Sequence, residues 1–454
     1  MYRDPVQSFQ PEHQVPASLR PLRVGMIGIG TVGAGTFRVL RRNQADIVAR
    51  TGRGIEIVIV AARQLGRAAE IVGDTGVTLT DDPLLVATHP GIDVVVEVAG
   101  GTGPARDWVL AAIAHGKHVV TANKALLAVH GAEILDAARR RGVAVAYEGA
   151  VAVSIPIVKA LREGLAANRI EWVAGIINGT SNFILSRMRD EALDFDTALA
   201  QAQALGYAEA DPAFDVEGTD AGHKLSLLAA NAFGMPIRFA DAQVEGITGL
   251  SRLDVACAEQ LGYRVKLLGI ARRQAHGVEL RVQPALLPAT HLLAQVHGSM
   301  NGVMVKGDAA GITMYYGAGA GSEQTASAVI ADLVDIARLD CTRAAQRVPH
   351  LGFQAHAVRD LPVLPRADVC GAHYLRIPVA DAGQAEAMAN WLAARQVPVR
   401  RVALADAQPG IGPQVLVLTE TVVQADLDQA VQALHAHPAL AGRVTTLRVE
   451  DWMA

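Results

Sequence analysis

Residues 22–35 read LRVGMIGIGTVGAG. A short run rich in β-branched and apolar residues ends on Gly28, Gly30 and Gly33, and a helical pattern, VGAGTFRVLRRNQADIVAR, follows at once. Strand, glycine turn, helix is the context in which the spacing G-x-G-x-x-G marks a dinucleotide-binding turn. Gly28 permits the tight turn, Gly30 lets a pyrophosphate approach the backbone, and Gly33 lets the helix pack on the strand. The helix N-terminus adds N–H groups and a dipole that favour an anion. Gly28, Gly30, Thr31, Val32 and Gly33 are therefore the expected cofactor cradle. The bland alternative is a glycine-rich βα turn that holds nothing.

Outward from this turn the same alternation continues. IEIVIVAAR, DVVVEVAGG, KHVVTANK and GVAVAYEG read as strands, with the helical PARDWVLAAIAHG among them. Near-continuous Val/Ile runs alternating with helices predict a doubly wound, Rossmann-type parallel sheet covered on both faces, over residues 21–148. The second strand ends at Arg63, with Arg67 nearby, where an NAD-selective site carries an acid for the ribose. A guanidinium there suits a 2′-phosphate, which favours NADP or the use of both cofactors; otherwise Arg63 is a surface arginine. Asn123 and Lys124 stand just past an apolar strand, at the sheet edge where such folds bind ligands. Lys124 either reaches the nicotinamide end of the cofactor or is a solubilising lysine at a strand end.

Residues 149–324 mix helices (PIVKALREGLAAN, TALAQAQALG, HKLSLLAANAFG) with strands (RIEWVAGIIN, YRVKLLGIARR, VELRVQPALL), an α+β pattern. TASAVIADLVDIARL predicts one helix, with 325–340 packing back on the first domain. A connection over 341–371 leads to residues 372–454, whose order βαββαβ is ferredoxin-like. Its apolar strands and helix stripe predict a core of its own. Residues 1–20 have no apolar signal region and read as a mobile tail.

Composition narrows the function classes. The chain has 454 residues, 51% apolar and 19% charged, with a formal net charge of −4. That is length for several domains, without the basic footprint of a nucleic-acid binder. Cys257, Cys341 and Cys370 are odd in number and scattered, which argues against a disulfide framework or a zinc cluster. No apolar run reaches the roughly 18 to 20 residues of a membrane span. The reading is a reduced, cytoplasmic globular protein.

The second stretch of interest is GYAEADPAFDVEGTDAGHK, residues 206–224, with Glu209, Asp211, Asp215, Glu217 and Asp220 before Lys224. It reads two ways. A charge run is often a solvated face. But Asp220 and Lys224 are four apart and share a helix face, and a lysine buried beside a carboxylate can trade a proton with a substrate. The spacing does not match a calcium loop.

With GIGTVGAG, DVVVEVAGG, GKHVVTANKALLA, GIINGTSNFIL, GYAEADPAFDVEGTDAGHK and GAGAGSEQTASAVIADLVDIAR in this order, the chain resembles homoserine dehydrogenase over nearly its whole length after Pro21. The C-terminal unit resembles the ACT domain of longer members, and no kinase part is present, as in the monofunctional form. The resemblance implies interconversion of L-homoserine and L-aspartate 4-semialdehyde with NADP or NAD. It assigns proton transfer to Lys124 and Lys224, and orientation of the substrate hydroxyl to Asp220. Glu209 would meet the amino end, with Thr180, Tyr207 and Asp215 lining the pocket, and Asn123 beside the cofactor. It further implies a monovalent cation, Na⁺, at Glu148, Val151, Val153 and Ile155. A threonine effector and a homo-oligomer, dimer or tetramer, complete the set. Alternatives on the same residues are another small amino- or hydroxy-acid oxidoreductase and a weakly catalytic amino-acid sensor. Two departures stand out: Val153 and Ser154 replace glycines of the family pattern, which would narrow the pocket, and DAGQ replaces D-x-P-G at the ACT helix entry.

Overall fold

The computed structural model describes residues 20–339 and 347–453. The tail at 1–19, the segment 340–346 with Cys341 and the start of the 341–371 connection, and residue 454 lie outside the described residues.

The first sheet contains β1 (Leu22–Ile27), β2 (Ile55–Ala61), β3 (Thr78–Thr80), β4 (Val94–Glu97), β5 (His118–Thr121) and β6 (Val145–Ala146), in the order β3-β2-β1-β4-β5-β6. Every pairing in it is parallel. The order reverses between β1 and β4, so a crevice opens at their carboxyl ends, where doubly wound sheets bind ligands. The helix expected after Gly30 is two helices, Thr31–Arg42 and Gln44–Thr51, divided at Asn43. The helix Ser322–Arg338 returns to this sheet and buries Ala326, Val329 and Leu333 with Met26 and Phe37. It comes so close to Thr31–Arg42 that a Cβ on Gly35 would lie 2.5 Å from the Ser322 carbonyl. The Ser322 hydroxyl donates to Thr31 O at 2.6 Å.

The second sheet has 11 strands. Its first half in chain order holds β7 (Ile170–Ile176), β8 (Gln243–Val244), β9 (Tyr263–Gln274), β10 (Gly277–Pro288), β11 (Met300–Gly307) and β12 (Gly311–Ala318). The hairpin β11–β12 was not read from the sequence; its tight turn closes at Gly311, φ 71°. The stretch PIVKALREGLAAN is not a regular α-helix: Leu165 N–H donates to Ala160 O at 2.7 Å, a wider i→i+5 turn.

The C-terminal half holds β13 (Cys370–Pro378), β14 (Val399–Leu404), β15 (Gln414–Thr419), β16 (Val422–Val423) and β17 (Thr445–Val449), with helices Ala385–Ala393 and Gln424–Leu434. The order β17-β13-β15-β14, with antiparallel neighbours, is the ferredoxin-like arrangement. Strand alternation sends neighbouring side chains to opposite faces, and here the faces meet different partners. Leu375, Ile377, Val415 and Val417 pack under the unit's own helices. Tyr374, Leu416, Leu418 and Leu447 join the core shared with residues of the middle, α+β region.

The expectation of a self-contained C-terminal unit is therefore corrected on one face and one edge. β17 pairs in parallel with β10, Ala285 opposite Arg448 and Leu286 opposite Val449. Beside that seam Arg281 donates to Glu279 at 2.6 Å and lies 2.7 Å from Glu450, the latter pair close but off hydrogen-bond alignment. Arg376 donates to Asp254 at 2.7 Å. Trp452 stacks edge-on to Trp172 at 5.6 Å under the guanidinium of Arg272. Sequence periodicity carries no information on which edge a strand will find.

No helix among the described residues is long and apolar enough to cross a membrane.

Candidate active site

At the switch point a cavity of about 950 Å³ is lined by Gly28, Gly30, Arg63, Arg67, Gly100 and Trp108, among others. Its floor is backbone. Gly28 has φ 99°, a left-handed value that suits glycine, and a Cβ there would lie 2.9 Å from Ala99 N. A Cβ on Gly33 would lie 2.3 Å from Gly28 O, whereas nothing lies within 4 Å of a Cβ on Gly30. Two glycines are thus needed for packing, and the third leaves open space in front of the helix N-terminus, which fits a pyrophosphate. Thr31 and Val32 begin that helix. Arg63 is exposed on the cavity wall just past β2.

Glu97, the last residue of β4, is fully buried, and nothing in the sequence reading selected it. Its carboxylate accepts from Ala99 N (2.9 Å), Gly100 N (3.0 Å) and the Thr121 hydroxyl (2.8 Å). Thr121 Oγ1 in turn accepts from Asn123 N at 3.0 Å. Asn123 donates to Gly101 O at 2.7 Å and caps the helix Lys124–Arg141 by accepting from Leu126 N at 3.1 Å. One buried carboxylate so ties the cofactor loop to the helix that begins with Lys124. An acid at the end of an apolar strand, DVVVE, was the signal that could have found it.

Lys124 meets the acidic stretch. Its Nζ lies 3.2 Å from Asp220 Oδ1, with the side chain 35% exposed. Asp220 and Lys224 sit on the helix Thr219–Phe233, and Lys224 Nζ donates to Asp220 Oδ2 at 2.6 Å and to Ile177 O at 2.9 Å. A lysine has three donors, so one remains. Burial alone would raise the Asp220 carboxyl; the ammonium groups of Lys224 and Lys124 outweigh it and hold it at about 2. Burial pushes Lys224 below the ordinary lysine value; Asp220 opposes this and Lys124 adds to it. The count of one carboxylate facing two ammoniums accounts for the depressed Asp220, and burial for most of the Lys224 shift.

Asn178, also absent from the sequence reading, completes the cluster. It is buried and caps the helix Gly179–Asp190. Its side-chain N–H₂ donates to Asp220 at 2.8 Å and to Asp215 at 2.7 Å. Asp215 is pushed up from the ordinary value, chiefly by burial. Thr180 donates its hydroxyl to Tyr207 O at 2.7 Å, and the Tyr207 ring lies 4.8 Å from Phe183. Glu209, Asp211 and Glu217 are exposed. The stretch divides: Asp215 and Asp220 turn inward, and Glu209, Asp211 and Glu217 face solvent. Among the described hydrogen bonds and ion pairs, none joins the Glu209 carboxylate to this cluster.

The residues singled out for a cation lie apart. Glu148 is buried, and its carboxylate accepts from Val158 N (3.0 Å) and Lys159 N (2.8 Å). Burial raises it to about 7, and burial likewise raises Asp332 to about 7. The carbonyl of Glu148 accepts from Val151 N and that of Ile155 from Ile157 N. Among the described residues no group of three or more His, Cys, Asp or Glu could hold a metal, so a cation there would rely on backbone carbonyls. Val153 is half-buried, and the Ser154 hydroxyl donates to Ala318 O at 2.7 Å, at the end of β12.

Two family signatures match the chain: "Homoserine dehydrogenase, NAD binding domain" over residues 28–148, and "Homoserine dehydrogenase" over 156–334. A homoserine dehydrogenase of Pseudomonas aeruginosa is 52% identical over 437 residues, 95% of this chain and 100% of that one. One from Neisseria gonorrhoeae is 46% identical, covering 95% and 99%. Among solved structures, a homoserine dehydrogenase from Thiobacillus denitrificans superposes with a TM-score of 0.90 at 52% identity, covering 95% of this chain and 98% of that one. A hyperthermophilic archaeal homoserine dehydrogenase in complex with NADPH, 23% identical with a TM-score of 0.60, covers 70% of this chain and 97% of its own, and shares the fold.

Proposed function

The chain belongs to the homoserine dehydrogenase family, and from that premise we propose how its residues divide the work of an NAD(P)-dependent enzyme that interconverts L-homoserine and L-aspartate 4-semialdehyde. When bound, the cofactor takes the hydride from C4 of the alcohol. The protein's task is the hydroxyl proton and the position of the substrate. Lys224, desolvated and pushed down, takes the proton as general base in oxidation and returns it in reduction. Asp220 orients the hydroxyl, and Lys124, at the cofactor side, stabilises negative charge on the reacting oxygen and shares the proton transfer. The single observation that carries this is the buried Asp220 held by two lysines, at 2.6 and 3.2 Å, one of which begins the helix after β5. Thr180, Tyr207 and Asp215 line the substrate side, and Glu209 meets the substrate ammonium from the exposed rim.

For the cofactor we favour NADP, with NAD also used. Arg63 and Arg67 on the cavity wall support it, and an archaeal relative binds NADPH. Initial rates with homoserine and each cofactor test the assignment. Arg63→Ala should raise KM for NADP about tenfold and leave KM for NAD nearly unchanged, because only NADP offers a phosphate to pair; equal effects would remove Arg63 from ribose recognition.

The domain reading is residues 21–148 with the returning helix for the cofactor, 149–324 for substrate and dimerisation, and 372–454 for regulation. A dimer through the middle domain is supported by the edge strand β12, where Ile312 and Tyr316 are 40% and 58% exposed. Threonine is the effector we assign to the C-terminal unit, where Asp381 of DAGQ still caps the helix approach by accepting from Gly383 N at 3.0 Å. A monovalent cation on the carbonyls of Glu148, Val151, Val153 and Ile155 is kept as a lesser part of the reading, tested by activity in sodium against potassium salts. The cytoplasm is the compartment that fits a biosynthetic dehydrogenase with an exposed free Cys370.

A further inference from the structure

Lys224 and Asn178 bond to the same oxygen of Asp220. Lys224 Nζ reaches Oδ2 at 2.6 Å, and the Asn178 side-chain N–H₂ reaches it at 2.8 Å. The second bond of that N–H₂ goes to Asp215 Oδ1 at 2.7 Å. The amide orientation is forced from both ends. Its oxygen accepts from Ser181 N at 2.8 Å, and a flipped amide would set oxygen against two carboxylates and N–H₂ against an N–H. Asn178 is 4% exposed, so water does not replace these bonds.

We propose that Asn178 is a positioning residue of the reaction: one amide holds Asp220 and Asp215 in register and sets how tightly Asp220 grips Lys224. This rests on the reading of Lys224 as the group that takes the proton. A donor shared onto Oδ2 disperses the charge there. Without it the same carboxylate is a stronger acceptor for the lysine, favours the ammonium form, and leaves less free amine at a given pH. The groups facing Asp220 are Lys224 and His223 on its own helix, Lys124 on the helix Lys124–Arg141, and Asp215, through Asn178, on the short helix Ala213–Val216. Burial pushes His223 below the ordinary histidine value, and Asp220 opposes this. Asn178 touches no substrate atom in this account; it acts through Asp220.

The test separates this role from simple capping. Asn178→Ser keeps an oxygen to cap Ser181 N but has one O–H on a shorter side chain in place of the N–H₂ that bridges Asp220 and Asp215; Asn178→Asp keeps the cap, loses the donor and adds a negative charge. Each variant is assayed for homoserine oxidation from about pH 6 to about pH 10. The rise of kcat/KM with pH should move alkaline by about half a unit in Asn178→Ser and by more in Asn178→Asp. A wild-type profile in both variants, whether or not kcat falls uniformly, overturns the proposal, because a cap or packing role lowers the rate without moving the pH dependence. Lys224→Ala, run alongside, tests the underlying reading by itself. Near-normal turnover there would sink the assignment of Lys224; a large loss there with unshifted Asn178 profiles would sink the inference alone.

Discussion

Asp220 and Glu279 are both buried carboxylates, 3% and 0% exposed. In both, burial works upward and neighbouring cations win, holding the carboxyl at about 2. Their partners differ in kind. Asp220 has lysines, two against one acid, and one of them, Lys124, is 35% exposed. Glu279 has arginines: Arg281 at 2.6 Å, Arg272 at 2.8 Å and Arg448 at 3.6 Å, with Glu450 2.7 Å from Arg281. Lysine gives up its proton when desolvated and crowded; arginine does not, and its fork fits carboxylates. On the proposed reading the lysine cluster exchanges a proton with the substrate. The arginine cluster is closed on itself and fastens the last strand to the catalytic sheet.

Removing the whole C-terminal unit should have the largest effect. A chain ending at Leu364 loses Arg448, Glu450 and Trp452, and uncovers a core shared with Tyr374, Leu416 and Leu447. It should be insoluble or inactive; a soluble truncation with wild-type kcat would show that the seam is decoration. Arg281→Met comes next. Breaking a buried pair by removing one partner costs about 3–5 kcal/mol, and Arg281 is 1% exposed. Denaturant unfolding should report that loss, while kcat per folded molecule stays within about twofold of wild type.

Lys224→Ala should invert that pattern. Its kcat should fall on the order of 100-fold, the scale of a lost acid–base group. The unfolding free energy should fall less than in Arg281→Met, since Asp220 keeps Lys124 and Asn178. If stability collapses and turnover survives, the two clusters have been assigned the wrong way round.

The smallest effect expected is a flat line. Glu279 lies near 2 in the folded protein against an ordinary 4.5. A depressed acid contributes stability that is fully present above its unfolded value and is lost as pH falls through its folded value. The unfolded chains titrate alike, and Arg272 and Arg448 still face Glu279 in Arg281→Met, so the stability difference between the two proteins should hold constant from about pH 8 to about pH 5 and shrink only below that. A slope near neutrality would mean that a group other than Glu279 titrates in the clamp.

What the sequence determined by itself is what a few consecutive residues can carry. The glycine spacing at 28, 30 and 33, the Val/Ile runs of the parallel strands, the βαββαβ order, and the four-residue step from Asp220 to Lys224 are local patterns, and local geometry follows from them. The tertiary structure decided everything that depends on which distant segments meet. Of five acids in one stretch, it turned two inward, because Asn178 at one helix N-terminus and Lys124 at another converge on them. It gave buried Glu97 three donors, two from the loop after β4 and one from the end of β5. It set β17 beside β10, so that a unit with its own helix-side core also became an edge of the catalytic sheet. A carboxylate's role follows from the charges around it and the water kept from it, and both are fixed by contacts across the fold rather than along the chain.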